Sequence, residues 1–329
     1  MDESTRILLY WLIIAAAALA GFAWTFCRRR ELSCRAVLLF ASLSVPLSLL
    51  LSRILYCAVC YEWLRLQGTG FIWRLAPGGL LLYGIAAGCL LSAWITGRVC
   101  RVYPLDLTDA AAPAFALLIA VKRFAEYLVG SGTGRSIEEW FDPMMEQSFL
   151  QIEDPSFLQR FPFAVQDYYE DWVFSINLWE GLAALTFLFI LLRMKPRRSG
   201  GATVLLLLLY AACQVVFESM RFGDVLKWGF IRVDQLLSGV LVLLLLVFCW
   251  RKLPSESRTL REVLFRGGMI VAACLIVMAM EFTLEAKISF LEWMRADLCY
   301  LVDIGCCAWM IASVIPIWNR SFAIKGALQ

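Results

Sequence analysis

The chain has no histidine in 329 residues. Its absence removes the commonest general base near neutral pH and the commonest metal ligand. Proton transfer, if the chain performs any, falls to carboxylate, tyrosine, cysteine, lysine or water. Charge is scarce as well: 17% of residues are charged and the net charge is +3. The basic residues sit in short clusters between apolar runs, so no nucleic-acid partner is expected. With 61% apolar residues and a mean hydropathy of +0.73, a soluble enzyme with one anchor is excluded in favour of a polytopic membrane protein. Most of the 12 cysteines, among them Cys57, Cys213, Cys274, Cys306 and Cys307, lie within apolar runs where a small polarizable side chain packs well. Cys57 and Cys60 form one C-x-x-C with no second pair, fewer ligands than a zinc site takes, so neither a metal nor a cofactor is expected. No cleavable signal is evident: MDESTR is mixed in charge and the run after it is long enough to span, which predicts a retained first helix.

What is present is a series of apolar runs, at about 7–27, 34–57, 78–97, 108–129, 174–192, 201–219, 234–250, 267–284 and 298–317. The fold class expected is all-α, a multi-pass integral membrane protein. Arg28, Arg29, Arg30 and Arg35 follow the first run, Arg98 and Arg101 the third, Arg193, Lys195, Arg197 and Arg198 the fifth, and Arg251, Lys252, Arg258, Arg261 and Arg266 the seventh. Every second connection is basic, which places the N-terminus outside and the C-terminus in the cytoplasm. The longest outside segment, 131–173, is acidic and aromatic and is interrupted by Pro143, Pro155 and Pro162. It reads as an extracytoplasmic cap, with Trp140 and Trp172 at headgroup level, or as a plain solvated connection.

The stretch from Ala110 to Arg135 organises the rest. It opens as a membrane helix and then sets Lys122, Arg123 and Glu126 inside the same run, three and four residues apart and so on one helical face. Ionisable groups at that depth are costly and mark a functional site by default; an ion pair that only fixes helix packing is the bland alternative. Tyr210, Gln214, Glu218 and Arg221 also share one face of the sixth run. With Arg53, Gly78, Gly79, Tyr83, Glu180, Asp234 and Gln235, these polar groups all fall in the outer leaflet, which favours one site facing the outer surface. A transporter fits less well, since hydropathy shows no inverted repeat and the polar groups avoid the midplane. Glu281, Glu285, Asp297 and Asp303, near the outer ends of the last two runs, are read as helix caps or groups that meet water.

Several of these segments resemble, in order and spacing, those of the bacterial prolipoprotein diacylglyceryl transferases: LSRILYCAVCY at 51–61, GGLLLYGIAAG at 78–88, KRFAEYLVGSGTGR at 122–135, NLWEG at 177–181, YAACQVVFESMR at 210–221 and DQLLSG at 234–239. In the signature at 122–135, Arg123, Gly130, Gly134 and Arg135 stand on identical positions. The resemblance implies a seven-helix core over 1–252, carrying the cap at 131–173, and a two-helix addition over 253–329 that the family lacks. It implies a bacterial cytoplasmic-membrane enzyme that moves the diacylglyceryl group of phosphatidylglycerol, or a related phospholipid, to a cysteine thiol in a prolipoprotein signal peptide. Glycerol phosphate leaves. It further implies Arg123, Tyr83 and Glu126 as catalytic residues. Arg53, Gly79, Arg135, Glu180, Tyr210, Gln214, Glu218, Arg221 and Gln235 would bind substrate. The family's third-helix histidine is Tyr83 here, its signature asparagine is Glu126, and the arginine one turn after Tyr210 is Gln214. These exchanges leave a second reading open, a homologue that keeps the fold and a lipid cavity but acts as an accessory or lipid-binding protein.

Overall fold

Among the described residues, nine helices are long and apolar enough to cross a membrane. They are α1 (Glu3–Cys27), α2 (Cys34–Val59), α3 (Leu82–Cys100), α4 (Pro104–Glu126), α5 (Ile176–Arg193), α6 (Gly201–Met220), α7 (Val233–Lys252), α8 (Leu260–Leu284) and α9 (Ala296–Phe322). The computed structural model describes residues 3–27, 32–68, 70–73, 81–130, 132–137, 160–166, 172–194, 198–221, 226–228, 231–284 and 296–322. The apolar runs become helices because no other single segment satisfies its own backbone in a hydrocarbon environment. The all-α membrane architecture read from the runs is therefore the architecture found. Two short antiparallel pairs interrupt it. β1 (Ala164–Gln166) pairs with β2 (Trp172–Phe174), and β3 (Lys227–Trp228) with β4 (Ile231–Arg232). Gly78, Gly79, Trp140, Glu285 and most of the cap lie outside the described residues, as does the side chain of Asp297.

Local chemistry sets several helix ends. The Ser33 hydroxyl caps α2 by accepting from the Ala36 amide at 3.2 Å. Pro104 begins α4, where its missing N–H costs nothing. Asp109 of α4 reaches across to the start of α6, accepting from the Gly200 and Thr203 amides at 2.7 and 2.8 Å and from the Thr203 hydroxyl at 2.7 Å. A carboxylate there satisfies orphan amides and meets the positive end of the helix dipole.

Helices α2 and α3 form the closest pair. A Cβ on Gly84 would stand 2.3 Å from Ser52 Cα, and one on Gly88 2.3 Å from Ser48 Cα. Backbones approach this closely only over small residues. The Ser52 and Ser48 hydroxyls then reach the Leu81 and Ile85 carbonyls of the partner at 2.8 and 3.1 Å.

The main core runs through α4, α5, α6 and α7 and continues without a break into α8 and α9. Leu208, Ala212, Val242 and Leu246 are packed in one cluster with Ile270, Met310, Val314 and Ile317. At the far end from the polar groups, the Trp318 indole donates to the Gly201 carbonyl at 3.0 Å and the Ser321 hydroxyl to the Cys249 carbonyl at 2.7 Å. The last two helices are thus built into the bundle.

Candidate functional site

The sequence places charges at the same end of α4, α5 and α6, and the packing brings them together. On α4 the Glu126 carboxylate pairs with Lys122 one turn earlier and accepts from Arg123 Nη1 at 2.9 and 3.2 Å. Arg123 Nε faces Glu180 Oε2 of α5 at 3.0 Å, within ion-pair distance but not aligned as a hydrogen bond. The same Glu180 oxygen takes Arg221, which also lies 3.4 Å from Glu218. Three cations and three carboxylates therefore alternate in one chain, Lys122–Glu126–Arg123–Glu180–Arg221–Glu218. Arg123 and Glu180 are each only 4% exposed, and Lys122, with 28% of its side chain exposed, is the link nearest to solvent. Charges this deep persist because each has an opposite partner.

The backbone around the cluster is fixed from outside α4. The Gly134 amide donates to the Phe174 carbonyl at 2.7 Å, and the Phe174 amide to the Arg135 carbonyl at 3.1 Å. The Arg135 amide reaches the Met220 carbonyl at 3.3 Å, and Gly134 bridges to Arg221. The glycine-rich segment after α4 is thereby sewn to the end of α6 beside Arg221. Gly132, at φ 74°, sets the loop against Glu126: a Cβ there would meet Glu126 Oε2 at 3.0 Å.

A second layer faces the cluster. The Tyr83 ring of α3 packs on that of Tyr210 of α6, with centroids 6.2 Å apart. Tyr83 is hydrogen-bonded to the Ser238 hydroxyl, and Ser238 gives its own proton to the Asp234 carbonyl at 2.6 Å. Tyr83 is consequently the donor in its bond. Asp234, at the start of α7, lies within electrostatic reach of Glu218, Arg221, Arg123 and Glu180, and of both tyrosines. Its Oδ1 is buried with no hydrogen-bond partner. Tyr210, Gln214 and Glu180 line a narrow cleft with Ile119, Ala183 and Phe187. Its free space is about that of one water molecule.

Of the residues expected at a site, Arg123, Glu126, Glu180, Glu218 and Arg221 meet in the ion-pair chain, and Tyr83, Tyr210 and Gln214 stand beside it. Arg135 joins through its backbone, while its side chain lies within electrostatic reach of Tyr300 of α9. Arg53 is buried but turned elsewhere, donating to the Ile72 carbonyl at 2.9 Å with its guanidinium 5.0 Å from the Tyr56 ring. Gln235 faces α8: its amide donates to Glu281 Oε1 at 2.7 Å and to the Val215 carbonyl at 3.1 Å. Cys57 and Cys60 are both free thiols.

Glu281 and Asp303 need correction. Read as caps or water-facing groups, they are 4% and 0% exposed. Glu281 accepts from Arg232 Nε at 2.9 Å, whereas both Asp303 carboxylate oxygens are buried without a partner, facing Ser219. The reason is that α8 and α9 pack against α6 and α7 and cover what would otherwise be a helix end. Sequence reasoning also passed over Tyr10 of α1, within electrostatic reach of Glu126 and Arg123, and the fully buried Asn177, whose Nδ2 has no partner. Only the position of Asn177 inside NLWEG offered a signal.

A helical bundle of membrane-length segments, with paired arginines and carboxylates gathered at one end of its helices, defines a class: a multi-pass membrane protein with a buried ion-pair cluster at one end of the bundle. Over residues 3–251 the chain matches the family described as prolipoprotein diacylglyceryl transferase. It is 26% identical over 245 residues to a phosphatidylglycerol–prolipoprotein diacylglyceryl transferase of Listeria welshimeri, covering 73% of this chain and 84% of that protein. It is 27% identical over 258 residues to one of Listeria monocytogenes, covering 77% and 88%. It is 25% identical over 243 residues to one of Bacillus velezensis, covering 72% and 85%. The chain belongs to the prolipoprotein diacylglyceryl transferase family, as the segments quoted above implied. The match stops at the end of α7, and α8 and α9 lie beyond it.

Proposed function

We propose that this chain is a membrane transferase that moves the diacylglyceryl group of phosphatidylglycerol to the thiol of a prolipoprotein signal-peptide cysteine. The thiol gives up its proton and the thiolate attacks the lipid's glycerol carbon. The carbon–oxygen bond to phosphate breaks, a thioether forms, and glycerol phosphate leaves with the electron pair. The observation that carries this reading is the convergence of Arg123 and Arg221 on one Glu180 oxygen, from segments that match the family in order. Arginine suits a departing phosphate because its planar fork stays charged at membrane depth. Arg123 and Arg221 take the headgroup, Glu180 holds the two apart, and Tyr210 and Gln214 line the approach. Arg135 flanks it through its backbone, whose amide reaches the Met220 carbonyl. The positive-inside pattern puts this end of the helices outside, where a signal-peptide cysteine is presented.

The proton acceptor is best placed on Asp234. Glu126 is held by two cations and Tyr83 is already a donor, whereas Asp234 forms no ion pair among the described residues and has an unpartnered oxygen. One observation favours the second reading, a lipid-binding relative without the reaction: Lys122, Arg123 and Arg221 are each matched by a carboxylate of the protein. The test is mass spectrometry of a lipobox peptide incubated with purified protein in phosphatidylglycerol micelles, beside Arg123→Ala. A diacylglyceryl adduct that vanishes in the variant is the expected result. No adduct while phosphatidylglycerol still co-purifies would leave the lipid-binding reading.

A further inference from the structure

Among the described residues, α8 reaches the end of the charge cluster through the Glu281 carboxylate. Glu281 of α8 accepts from Arg232 Nε at 2.9 Å and from Gln235 Nε2 at 2.7 Å. Arg232, 2% exposed, spends its Nη1 on the carbonyls of Glu218 and, at 3.2 Å, of Arg221. These carbonyls close α6, where the Glu218 carbonyl has only the Arg221 amide at 3.3 Å among the described backbone donors and the helix dipole is negative, so a cation there both caps and orients the end. They also belong to the two residues whose side chains complete the ion-pair chain.

We infer that Glu281 is a positioning residue for the transfer reaction: it holds Arg232 against the end of α6 and so fixes the direction from which Arg221 reaches Glu180 and the lipid phosphate. The inference rests on the transferase reading. Without Glu281, Arg232 is a buried cation with no carboxylate of its own. Among the described residues, carboxylates near it are Asp303, with both oxygens unpartnered, and Glu218, whose backbone it already holds. Capture of Arg232 by either one pulls the α6 end away from its present course and loosens Arg221. Because Arg221 is assigned to the phosphate, the damage falls on the lipid and spares the peptide.

The experiment uses full-length protein in phosphatidylglycerol micelles with a lipobox peptide, for wild type, Glu281→Gln, Arg232→Gln and the double variant, at matched folded amounts. Glu281→Gln is expected to raise KM for phosphatidylglycerol about tenfold to hundredfold, the scale of a small misplacement at a reacting group, with KM for the peptide within twofold of wild type. The double variant removes both buried charges at once, so it is expected to lose clearly less than the product of the two single losses. A lipid KM unchanged in Glu281→Gln, single losses that simply multiply, or equal rises in both KM values would each overturn the inference. If wild type yields no adduct, the transferase reading fails by itself. Phosphatidylglycerol retained after detergent exchange then decides the inference, with weaker retention by Glu281→Gln supporting it and equal retention overturning it.

Discussion

Replacing Glu126 by Gln separates two effects that the ion-pair chain binds together. The Glu126 carboxylate occupies Arg123 Nη1 through contacts of 2.9 and 3.2 Å. A phosphate that takes Arg123 has to displace or share that carboxylate. A hydrogen bond to a charged group is worth about 1.5–3 kcal/mol. The fold does not lose the ~3–5 kcal/mol of a fully severed buried pair, because Arg123 keeps Glu180 and Lys122 is partly exposed. A loss of about 1–3 kcal/mol in stability is the expected outcome. The lipid gains what the carboxylate gives up: if half of one such contact is recovered, ~0.75–1.5 kcal/mol, KM for phosphatidylglycerol falls about threefold to twelvefold. The variant should therefore melt earlier and bind lipid more tightly. Initial rates against phosphatidylglycerol, with a thermal midpoint on the same preparation, measure both. A KM that rises with the fall in stability would refute the competition and remove Arg123 as the headgroup ligand. A collapse of kcat by about a hundredfold would show that Glu126 itself moves the proton.

Asp234→Asn is expected to lower kcat by about 10²–10⁴-fold with little change in lipid KM, and a kcat within threefold of wild type would take the proton acceptor elsewhere. Asp109→Asn should cost about 0.5–2 kcal/mol of stability, through the lost charge at the start of α6, and leave both KM values alone, since it lies at the opposite end of α4 from Arg123; thermal melting with kinetics checks it. Gly84→Val forces side-chain atoms into the α2 backbone, where even a Cβ would stand 2.3 Å from Ser52 Cα. It should cost at least the ~1–3 kcal/mol of an overpacked core, measured as a lower melting temperature in detergent.

The parts of this protein that could be read from sequence were those with short-range signals. Apolar runs announce the helices, because the bilayer demands a length. Lys122, Arg123 and Glu126, like Glu218 and Arg221, declare themselves by spacing within one helix. Glu180 as a shared partner of two arginines did not, since its contacts lie on other helices. The Arg232–Glu281 pair spans 49 residues, and no local pattern marks either member. Arg53 shows the same limit: its depth was legible, but its direction depends on the short helices Tyr61–Gln67 and Gly70–Trp73 that follow α2. Strands of two or three residues leave too little alternation to be seen.

The way charges are shared out in the ion-pair chain also bears on how the protein is made. Helix α4 carries Lys122 and Arg123 with their counter-charge Glu126, and α6 ends with Glu218 and Arg221 together. Each of these helices can enter the bilayer close to electrically neutral. Helix α5 brings Glu180 with no cation of its own before Arg193 at its opposite end. When α5 emerges from the ribosome, α4 is already in the membrane and Arg221 has yet to be translated. Glu180 must settle on Arg123 first, so the α4–α5 hairpin is the assembly step that makes a lone carboxylate tolerable in lipid. Arrival of α6 then closes a pair already half made, and a chain stopped after α5 should still hold its Arg123–Glu180 contact.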